Sequence, residues 1–291
     1  MQSPFWHYCS SFDPVALIQA FAVVEPRTDP HNVTNFLGVK VSPKFFPGIL
    51  DGREGSVEPV PIPANWHADI AEWGAVLHSV DQSGETFRMA ELGCGWGCWL
   101  NNAGAAARSR SKGVYLVGVE GDVGHIEFAE EARQANGFSA SEYRVIHGIA
   151  AAGRGTALFP IAQAPGQSWG LEPVFGATEA QIRAATTSLT HHALKMIPLD
   201  QITGGNPLDL LHIDIQGGES AYVRENIGEL SQSVRRMVIG THSRQIEGEI
   251  MDVLLASGWH LEIERPAICA IEDGRPSIRV DGVQGWHNPA I

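Results

Sequence analysis

The chain reads Glu91-Leu92-Gly93-Cys94-Gly95-Trp96-Gly97 where an apolar segment gives way to a helical pattern, and this stretch decides its fold. Glycine at every second position allows the backbone to turn sharply and to pass close to a bound ligand. A helix that begins directly after such a turn presents free amide groups to an anionic part of that ligand. The stretch therefore predicts a ligand-binding turn from a strand into a helix, near the start of an α/β domain.

Strand and helix patterns alternate along the chain after residue 86. Apolar runs predict strands at Phe87–Leu92, Val114–Glu120, Tyr143–His147, Leu208–Ile215, Arg236–Thr241 and Trp259–Glu264. Helical spacing predicts helices at Cys98–Ala107, Gly124–Asn136, Glu219–Leu230 and Gln245–Ser257. Alternating units of this kind predict a Rossmann-like, doubly wound α/β fold, in which a mostly parallel sheet carries helices on both faces.

Two parts of the chain depart from this alternation. Residues 1–85 are rich in proline and aromatic residues and contain one amphipathic helical pattern, which starts near Ile70. Since proline disfavours long helices, we expect an irregular N-terminal extension to a domain at residues 86–291. Residues 153–203 interrupt that domain with a long excursion that holds Trp169 and the pair His191-His192. Long loops in compact domains are commonly functional, so we expect this excursion to close over a substrate.

The second predicted strand ends at Glu120, where a carboxylate can accept hydrogen bonds from the hydroxyls of a ribose. The glycine spacing G-x-G-x-G, with an acid before it, differs from the G-x-G-x-x-G of nicotinamide-dinucleotide sites. It resembles motif I of the class I methyltransferases, which use S-adenosylmethionine. This resemblance implies that Glu91 lies near the methionine ammonium group and that the end of the third strand contacts adenine. The residues expected to bind the cofactor are Glu91, Gly93, Gly95, Trp96, Gly97, Glu120, Gly121, Asp122, His147, Gly148, Ile149 and Asp214.

Polar residues also gather at the end of the fourth predicted strand, which continues into Asp214-Ile215-Gln216-Gly217-Gly218-Glu219. Because alternate side chains of a strand share a face, Leu210, His212 and Asp214 point the same way. In open α/β sheets the ligand lies outside the carboxyl ends of the strands. We therefore expect Asp214 at the ligand edge of the sheet, with His212 deeper in the strand.

This segment resembles the D-x-E-G-x-E-like motif of the FkbM-type methyltransferases, and the resemblance covers about residues 86–265. A leucine–aspartate pair precedes the motif at Leu199-Asp200, and the next strand ends near His242. The chain departs from the family pattern at two positions. Gln216 replaces an acid of the motif, and Gly240 stands where an acid often precedes the histidine. Both departures reduce the local negative charge, so the motif leaves open whether a divalent metal binds.

Three residues at this edge are candidates for catalysis. Methyl transfer requires alignment of the acceptor and, for a hydroxyl, a base that removes its proton. The family match favours His242 as this base, and its alternative role is to cap the helix that follows. His212 is a second candidate, although a histidine this deep in a strand is commonly a core residue. Asp214 could orient the cofactor or the acceptor, and its alternative role is a helix cap.

These patterns predict a methyltransferase that uses S-adenosylmethionine to methylate a hydroxyl of a small molecule, sugar or glycolipid. One alternative within the same fold is methylation of a nitrogen. Two others are a nicotinamide-dependent oxidoreductase, which the glycine spacing disfavours, and a cofactor-binding module that has lost catalysis. The sequence does not identify the acceptor, which we expect to be a small molecule or a glycan.

Composition and charge narrow the range of partners. The formal net charge is −13, and a strongly acidic surface repels phosphate backbones, so we expect no nucleic-acid partner. No apolar run reaches the ~18 to 20 residues needed to cross a bilayer. The N-terminus lacks the basic and apolar regions of a secretory signal, so a cytoplasmic protein is expected. Whether it forms a homo-oligomer is left open.

Overall fold

The computed structural model of the chain describes residues 7–164, 166 and 168–291, and these form fifteen strands and eight α-helices. In chain order the strands are β1 (Cys9–Ser10), β2 (Val33–Thr34), β3 (Lys40–Val41), β4 (Thr86–Leu92), β5 (Gly113–Glu120), β6 (Tyr143–His147), β7 (Ile149–Ala150), β8 (Gly155–Pro160), β9 (His191–Ile197), β10 (Leu210–Ile213), β11 (Arg236–Thr241), β12 (His260–Arg265), β13 (Ile268–Glu272), β14 (Arg275–Val280) and β15 (Gly282–His287). The helices are α1 (Pro14–Phe21), α2 (Ile70–Asp81), α3 (Cys98–Ser109), α4 (Val123–Ala135), α5 (Glu179–Thr187), α6 (Leu199–Thr203), α7 (Glu219–Ser233) and α8 (Arg244–Ala256). No helix within these ranges is both long and apolar enough to cross a bilayer.

The central sheet has eight strands in the order β1-β12-β15-β11-β10-β4-β5-β6. Strands β6, β5, β4, β10 and β11 run parallel to one another, which confirms the predicted parallel sheet. Strand β15 lies antiparallel between β11 and β12, and β1 pairs antiparallel with β12 at the edge. Dinucleotide-binding domains have the all-parallel order 3-2-1-4-5-6 instead. The sequence patterns did not predict β15, because its alternation is obscured by two glycines.

Helices cover both faces of the sheet, as predicted. On one face α2 and α3 bury Trp73 and Trp99 against Phe87 and Met89 of β4. On the other face α7 and α8 pack against the opposite side of the same strands, with Leu254 in that core. The alternation along β4 directs successive side chains to these two cores. It also places the side chain at position 91 on the face covered by α2 and α3.

The N-terminal residues are more regular than the sequence patterns predict. A second helix, α1, precedes α2, and Asp13 caps it by accepting a hydrogen bond from the amide of Ala16 at 3.0 Å. The prediction of a single helix was therefore wrong, because the eight residues of α1 end before the proline-rich segment begins. Asp69 caps α2 in the same way, through the amides of Ala71 and Glu72. Since β1 joins the central sheet and α2 covers it, this extension is part of the domain core.

The excursion at residues 153–203 is also largely regular, which corrects the expectation of an irregular loop. Strands β8 and β9 pair antiparallel, and β7 joins them in a small three-stranded sheet. Helix α5 follows a capping box at Thr178 and Gln181. The pair His191-His192 begins β9 opposite Pro160 and Phe159. The irregular part of the excursion is the segment around Trp169, which reaches the cavity described next.

Candidate functional site

The strand order reverses at β4, since β5 and β6 extend the sheet on one side and β10 and β11 on the other. Ligands of open α/β sheets bind at such a switch point, outside the carboxyl ends of the strands. A cavity of about 1030 Å³ opens there, at the upper end of the range of ligand pockets. Its walls come from the glycine turn, the ends of β5, β10 and β11, helix α2 and the excursion.

The glycine turn has the backbone that its sequence predicts. Gly93, Gly95 and Gly97 all have positive φ, at 71°, 52° and 74°. A side chain at Gly93 would collide with the carbonyl oxygen of Asp214, because the turn passes directly against the end of β10. The turn therefore brings two of the predicted site segments into contact. Trp96 lies buried beneath it and stacks on Phe45, with ring centroids 5.4 Å apart.

Glu91 is buried below the turn and caps helix α3. Its carboxylate accepts hydrogen bonds from the amides of Trp99 at 3.2 Å and Leu100 at 3.0 Å. These are free amides of the first helical turn, which no side chain at the N-cap residue Gly97 satisfies. Burial raises the pKa of Glu91 to about 8. Glu91 also lines the cavity, so a cation bound there would meet this carboxyl group.

Glu120, at the end of β5, ties the glycine turn to the next helix. Its Oε2 accepts a hydrogen bond from the amide of Gly95 at 2.8 Å. Its Oε1 accepts from the amides of Gly121 at 2.7 Å and Asp122 at 2.8 Å. Asp122 in turn caps α4 through the amide of Gly124 at 2.6 Å. Glu120 and the three residues whose amides it binds all line the cavity, so its carboxylate contacts both sides of the predicted cofactor site.

The end of the third parallel strand contributes only in part. Gly148 and Ile149 line the cavity, as expected of adenine contacts. His147 is exposed instead, and its Nε2 lies 3.0 Å from the carbonyl oxygen of Gly121, outside the cavity lining. Of the twelve predicted cofactor residues, His147 and Gly97 are the two that the structure does not bring to the cavity wall.

His212 forms a buried pair with Glu72 of α2. Its Nε2 lies 3.0 Å from Oε1 of Glu72, and the same oxygen accepts a hydrogen bond from the indole of Trp99 at 3.0 Å. Its Nδ1 has no hydrogen-bond partner within the described ranges. Burial lowers the pKa of His212, but the hydrogen bond to Glu72 outweighs it and raises this pKa above its ordinary value. Both residues line the cavity.

Asp214, Glu219 and His242 meet at the rim, where β10 and β11 end. The Nε2 of His242 lies 3.3 Å from Oδ1 of Asp214, and its Nδ1 lies 3.1 Å from Oε1 of Glu219. Nδ1 of His242 and Oε1 of Glu219 lie within ion-pair distance, but their geometry is not that of a hydrogen bond. Burial opposes a charge on the ring, but the two carboxylates outweigh it and raise the pKa of His242 to about 10. Burial likewise opposes a charge on Asp214, but His242 holds the pKa of this carboxyl below its usual value.

Sequence reasoning missed three groups that line the cavity. Glu72 is one, and its signal was a lone acid in the otherwise apolar run at residues 70–77. His67 is another, and burial lowers its pKa to about 4. The third is an aromatic stack in which Trp169 lies between Phe46 and His125, with ring centroids 4.5 Å and 4.2 Å away. Nothing in the sequence pairs these distant residues, since each becomes a neighbour only through the fold.

Comparison with known proteins adds one strong relationship. The chain is 48% identical over 262 residues to a protein of Jannaschia sp. (strain CCS1) provisionally named as a methyltransferase, and the match covers 90% of this chain and 94% of that protein. No protein-family profile matches the chain, so the resemblance to the FkbM type stays a hypothesis.

Solved structures provide two further comparisons. A precorrin-6y C5,15-methyltransferase from Geobacter metallireducens GS-15 has a TM-score of 0.40 at 12% identity, over 73% of this chain and 85% of that one. A ribosomal protein L11 methylase from Lactobacillus delbrueckii subsp. bulgaricus has a TM-score of 0.39 at 10% identity, over 81% and 87%. Scores this low do not bear on the fold, which the strand order establishes directly.

Proposed function

Since the chain belongs to the methyltransferase family, we propose that it transfers the methyl group of S-adenosylmethionine to a hydroxyl of a small molecule or glycan. The observation that carries this proposal is the glycine turn held by Glu120 above the buried Glu91, at the switch point of the sheet. The segment from Asp214 to Glu219 resembles the motif of the FkbM-type methyltransferases, and this resemblance supports an oxygen acceptor. The antiparallel β15 and the glycine spacing both count against a nicotinamide cofactor.

The residues of the cavity suit a cationic cofactor. Glu72, Glu91, Glu120 and Asp214 all line it, and S-adenosylmethionine carries a sulfonium and an ammonium group. A carboxylate attracts a cation more strongly in a partly buried site than in bulk water. Glu120 would accept hydrogen bonds from the ribose hydroxyls, and Glu91 would face the ammonium group.

The three catalytic candidates differ in how ready they are to take a proton. When bound, S-adenosylmethionine supplies an electrophilic methyl carbon, and its C–S bond breaks with the electron pair going to sulfur as the acceptor oxygen bonds to that carbon. His242 faces a carboxylate at each of its two ring nitrogens, so neither nitrogen is left for the acceptor's proton. His212 has one ring nitrogen oriented by Glu72 and the other unpartnered. We therefore assign the acceptor's proton to Nδ1 of His212, and we assign acceptor positioning to Asp214 and His242.

Calorimetry tests the cofactor first. S-adenosylmethionine and S-adenosylhomocysteine should bind one per chain, and NAD should not bind. Binding of NAD without S-adenosylmethionine would overturn the proposal in favour of an oxidoreductase. Cofactor binding with no turnover across a broad screen of hydroxyl and amine acceptors would instead indicate a binding module.

Kinetics with an identified acceptor then tests His212. The substitution His212→Gln should lower kcat by about 100- to 10,000-fold, the usual contribution of general-base catalysis, with cofactor affinity retained. Glu72→Gln removes the carboxylate that raises the pKa of His212, so the acidic limb of the kcat profile should move to lower pH. His192→Gln, at an exposed position in β9, is the control and should change neither. Unchanged kcat in a folded His212→Gln protein would contradict this assignment and favour His242 as the base.

The remaining expectations are part of the same proposal. We propose a cytoplasmic enzyme without a nucleic-acid partner, on the basis of its composition and its net charge of −13. Electrophoretic mobility of an RNA and a DNA oligonucleotide should be unchanged by the protein at physiological salt.

A further inference from the structure

The rim of the cavity holds a set of groups with metal-ligand chemistry. One ligand atom each of Asp214, Glu219 and His242 lies within 4.8 Å of the other two. Asp214 and Nε2 of His242 face each other across 3.3 Å, and both residues line the cavity. Glu219 is fully buried behind the imidazole, on its Nδ1 side. An ion held by Nε2 and Asp214 would therefore be open to a ligand in the cavity, with Glu219 on the far side of the ring.

Glu219 carries the second observation. Its Oε1 accepts hydrogen bonds from the amides of Ile215 at 3.0 Å and Gly217 at 3.1 Å, which fix the carboxylate in place. Its Oε2 has no hydrogen-bond partner in the described part of the chain, and Glu219 has no exposed surface through which water could supply one. A buried carboxylate is costly without a partner, and the group that Glu219 faces is the imidazole of His242, whose Nδ1 lies 3.1 Å from its Oε1.

The backbone between these residues is also unusual. Gln216 has a φ of 56°, in the left-handed region that a residue with a side chain rarely occupies. This conformation directs its amide to Asp214, and Nε2 of Gln216 donates a hydrogen bond to Oδ1 of Asp214 at 2.9 Å. Strained conformations of this kind gather at ligand sites, where the surrounding structure holds them. The side chain of Gln216 thus holds the carboxylate of Asp214 in place through its amide N–H.

We propose that Asp214 and His242 bind a divalent first-row cation, with Glu219 orienting the imidazole from behind, and that this cation holds the acceptor's hydroxyl. The ion would displace the proton that the two carboxylates favour on the ligand-free ring. The arrangement is then that of many metal sites, in which a carboxylate orients the ring of a histidine ligand. Mixed imidazole and carboxylate ligands favour ions such as Mn²⁺ or Zn²⁺ over Mg²⁺. A bound divalent cation lowers the pKa of an oxygen ligand, which eases proton removal from a hydroxyl. The role at the acceptor rests on the methyl transfer proposed above, whereas the binding site itself does not.

Binding of Mn²⁺ to chelator-treated protein tests this site, with the signal of the free ion in electron paramagnetic resonance as the readout. The wild type should bind one ion per chain, and Zn²⁺ should displace it. Asp214→Asn and His242→Gln should each weaken binding by more than about 10-fold, and Glu219→Gln by about 10- to 100-fold. Glu172→Gln removes an exposed carboxylate from the same cavity wall and should bind as the wild type does.

A gain of affinity makes the test independent of damage to the fold. A Cβ at Gly240 would lie 3.6 Å from Cγ of Asp214, which is an ordinary contact, so Gly240→Asp adds a carboxylate beside the site. This variant should bind Mn²⁺ more tightly than the wild type. The proposal fails if folded wild-type protein binds no Mn²⁺ at millimolar concentration, or if a folded Asp214→Asn protein keeps wild-type affinity. Calorimetry with S-adenosylmethionine on the same samples separates this failure from failure of the methyltransferase proposal.

Discussion

Glu120 shows how much of the site one side chain can organise. Its two oxygens accept three backbone hydrogen bonds, one of them from the glycine turn itself. We expect Glu120→Gln to weaken S-adenosylmethionine binding by about 1–3 kcal/mol, because a neutral amide loses hydrogen bonds that a charged group makes. Calorimetry measures this loss, and circular dichroism should show an intact fold. Wild-type affinity in the variant would place the ribose elsewhere.

Glu91 should couple cofactor binding to a proton. Burial raises its pKa from an ordinary value of 4.5 to about 8, so the carboxyl is mostly protonated at pH 7 in the ligand-free protein. An ammonium group beside it favours the ionised form, and binding at pH 7 should therefore release a proton. Calorimetry in two buffers with different ionisation enthalpies measures that release, and Glu91→Gln should abolish it. Binding heats that are equal in both buffers would contradict the predicted contact.

The same shift has a consequence for stability. A carboxyl whose pKa is raised on folding favours the folded state below pH 4.5, and this contribution is lost as the pH rises through about 8. The Tm of the wild type should thus fall more between pH 5 and pH 9 than the Tm of Glu91→Gln.

At the scale of elements, the excursion reaches the site through one aromatic contact. Trp169 lies over the glycine turn, where a Cβ at Gly95 would come within 2.7 Å of its ring. The proposed cofactor would approach the same surface, so we expect the segment around Trp169 to move when it binds. Limited proteolysis within residues 168–178 should change in rate on addition of S-adenosylmethionine. Trp169→Ala should remove this difference, whereas Leu189→Ala, at an exposed position of the same excursion, should preserve it. Identical cleavage with and without cofactor would count against a moving segment.

Local patterns predicted the elements that depend on neighbours in sequence. The glycine turn, Glu120 and the alternation from β4 to β12 follow from periodicity and spacing, and the structure has them. The pairing of His212 with Glu72 could not be predicted from the sequence, because it joins residues on different elements through the packing of α2 on the sheet. The small sheet of the excursion was missed for a related reason, since β8 and β9 stabilise each other across a long connection. Long-range pairing, rather than local propensity, decides such features.

At the scale of the whole molecule, the N-terminal extension and the α/β domain share one site. Phe46, His67 and Glu72 come from the extension, and each lines the cavity together with residues of the sheet. A ligand of this cavity therefore contacts both parts of the chain, and the two parts cannot be separated without opening it.

The position of strand β15 in the chain also has a consequence for folding during synthesis. It follows β11 and β12 in the chain but lies between them in the sheet, hydrogen-bonded to both. During synthesis, β11 and β12 leave the ribosome as strands without their common neighbour, and exposed strand edges of this kind invite pairing with other chains. Completion of the sheet must wait until residues 282–287 have emerged, so we expect released chains truncated before residue 282 to be sensitive to protease and the 291-residue chain to be resistant. The newly synthesised protein thus depends on the late insertion of β15, and the edges of β11 and β12 need protection from other chains until then.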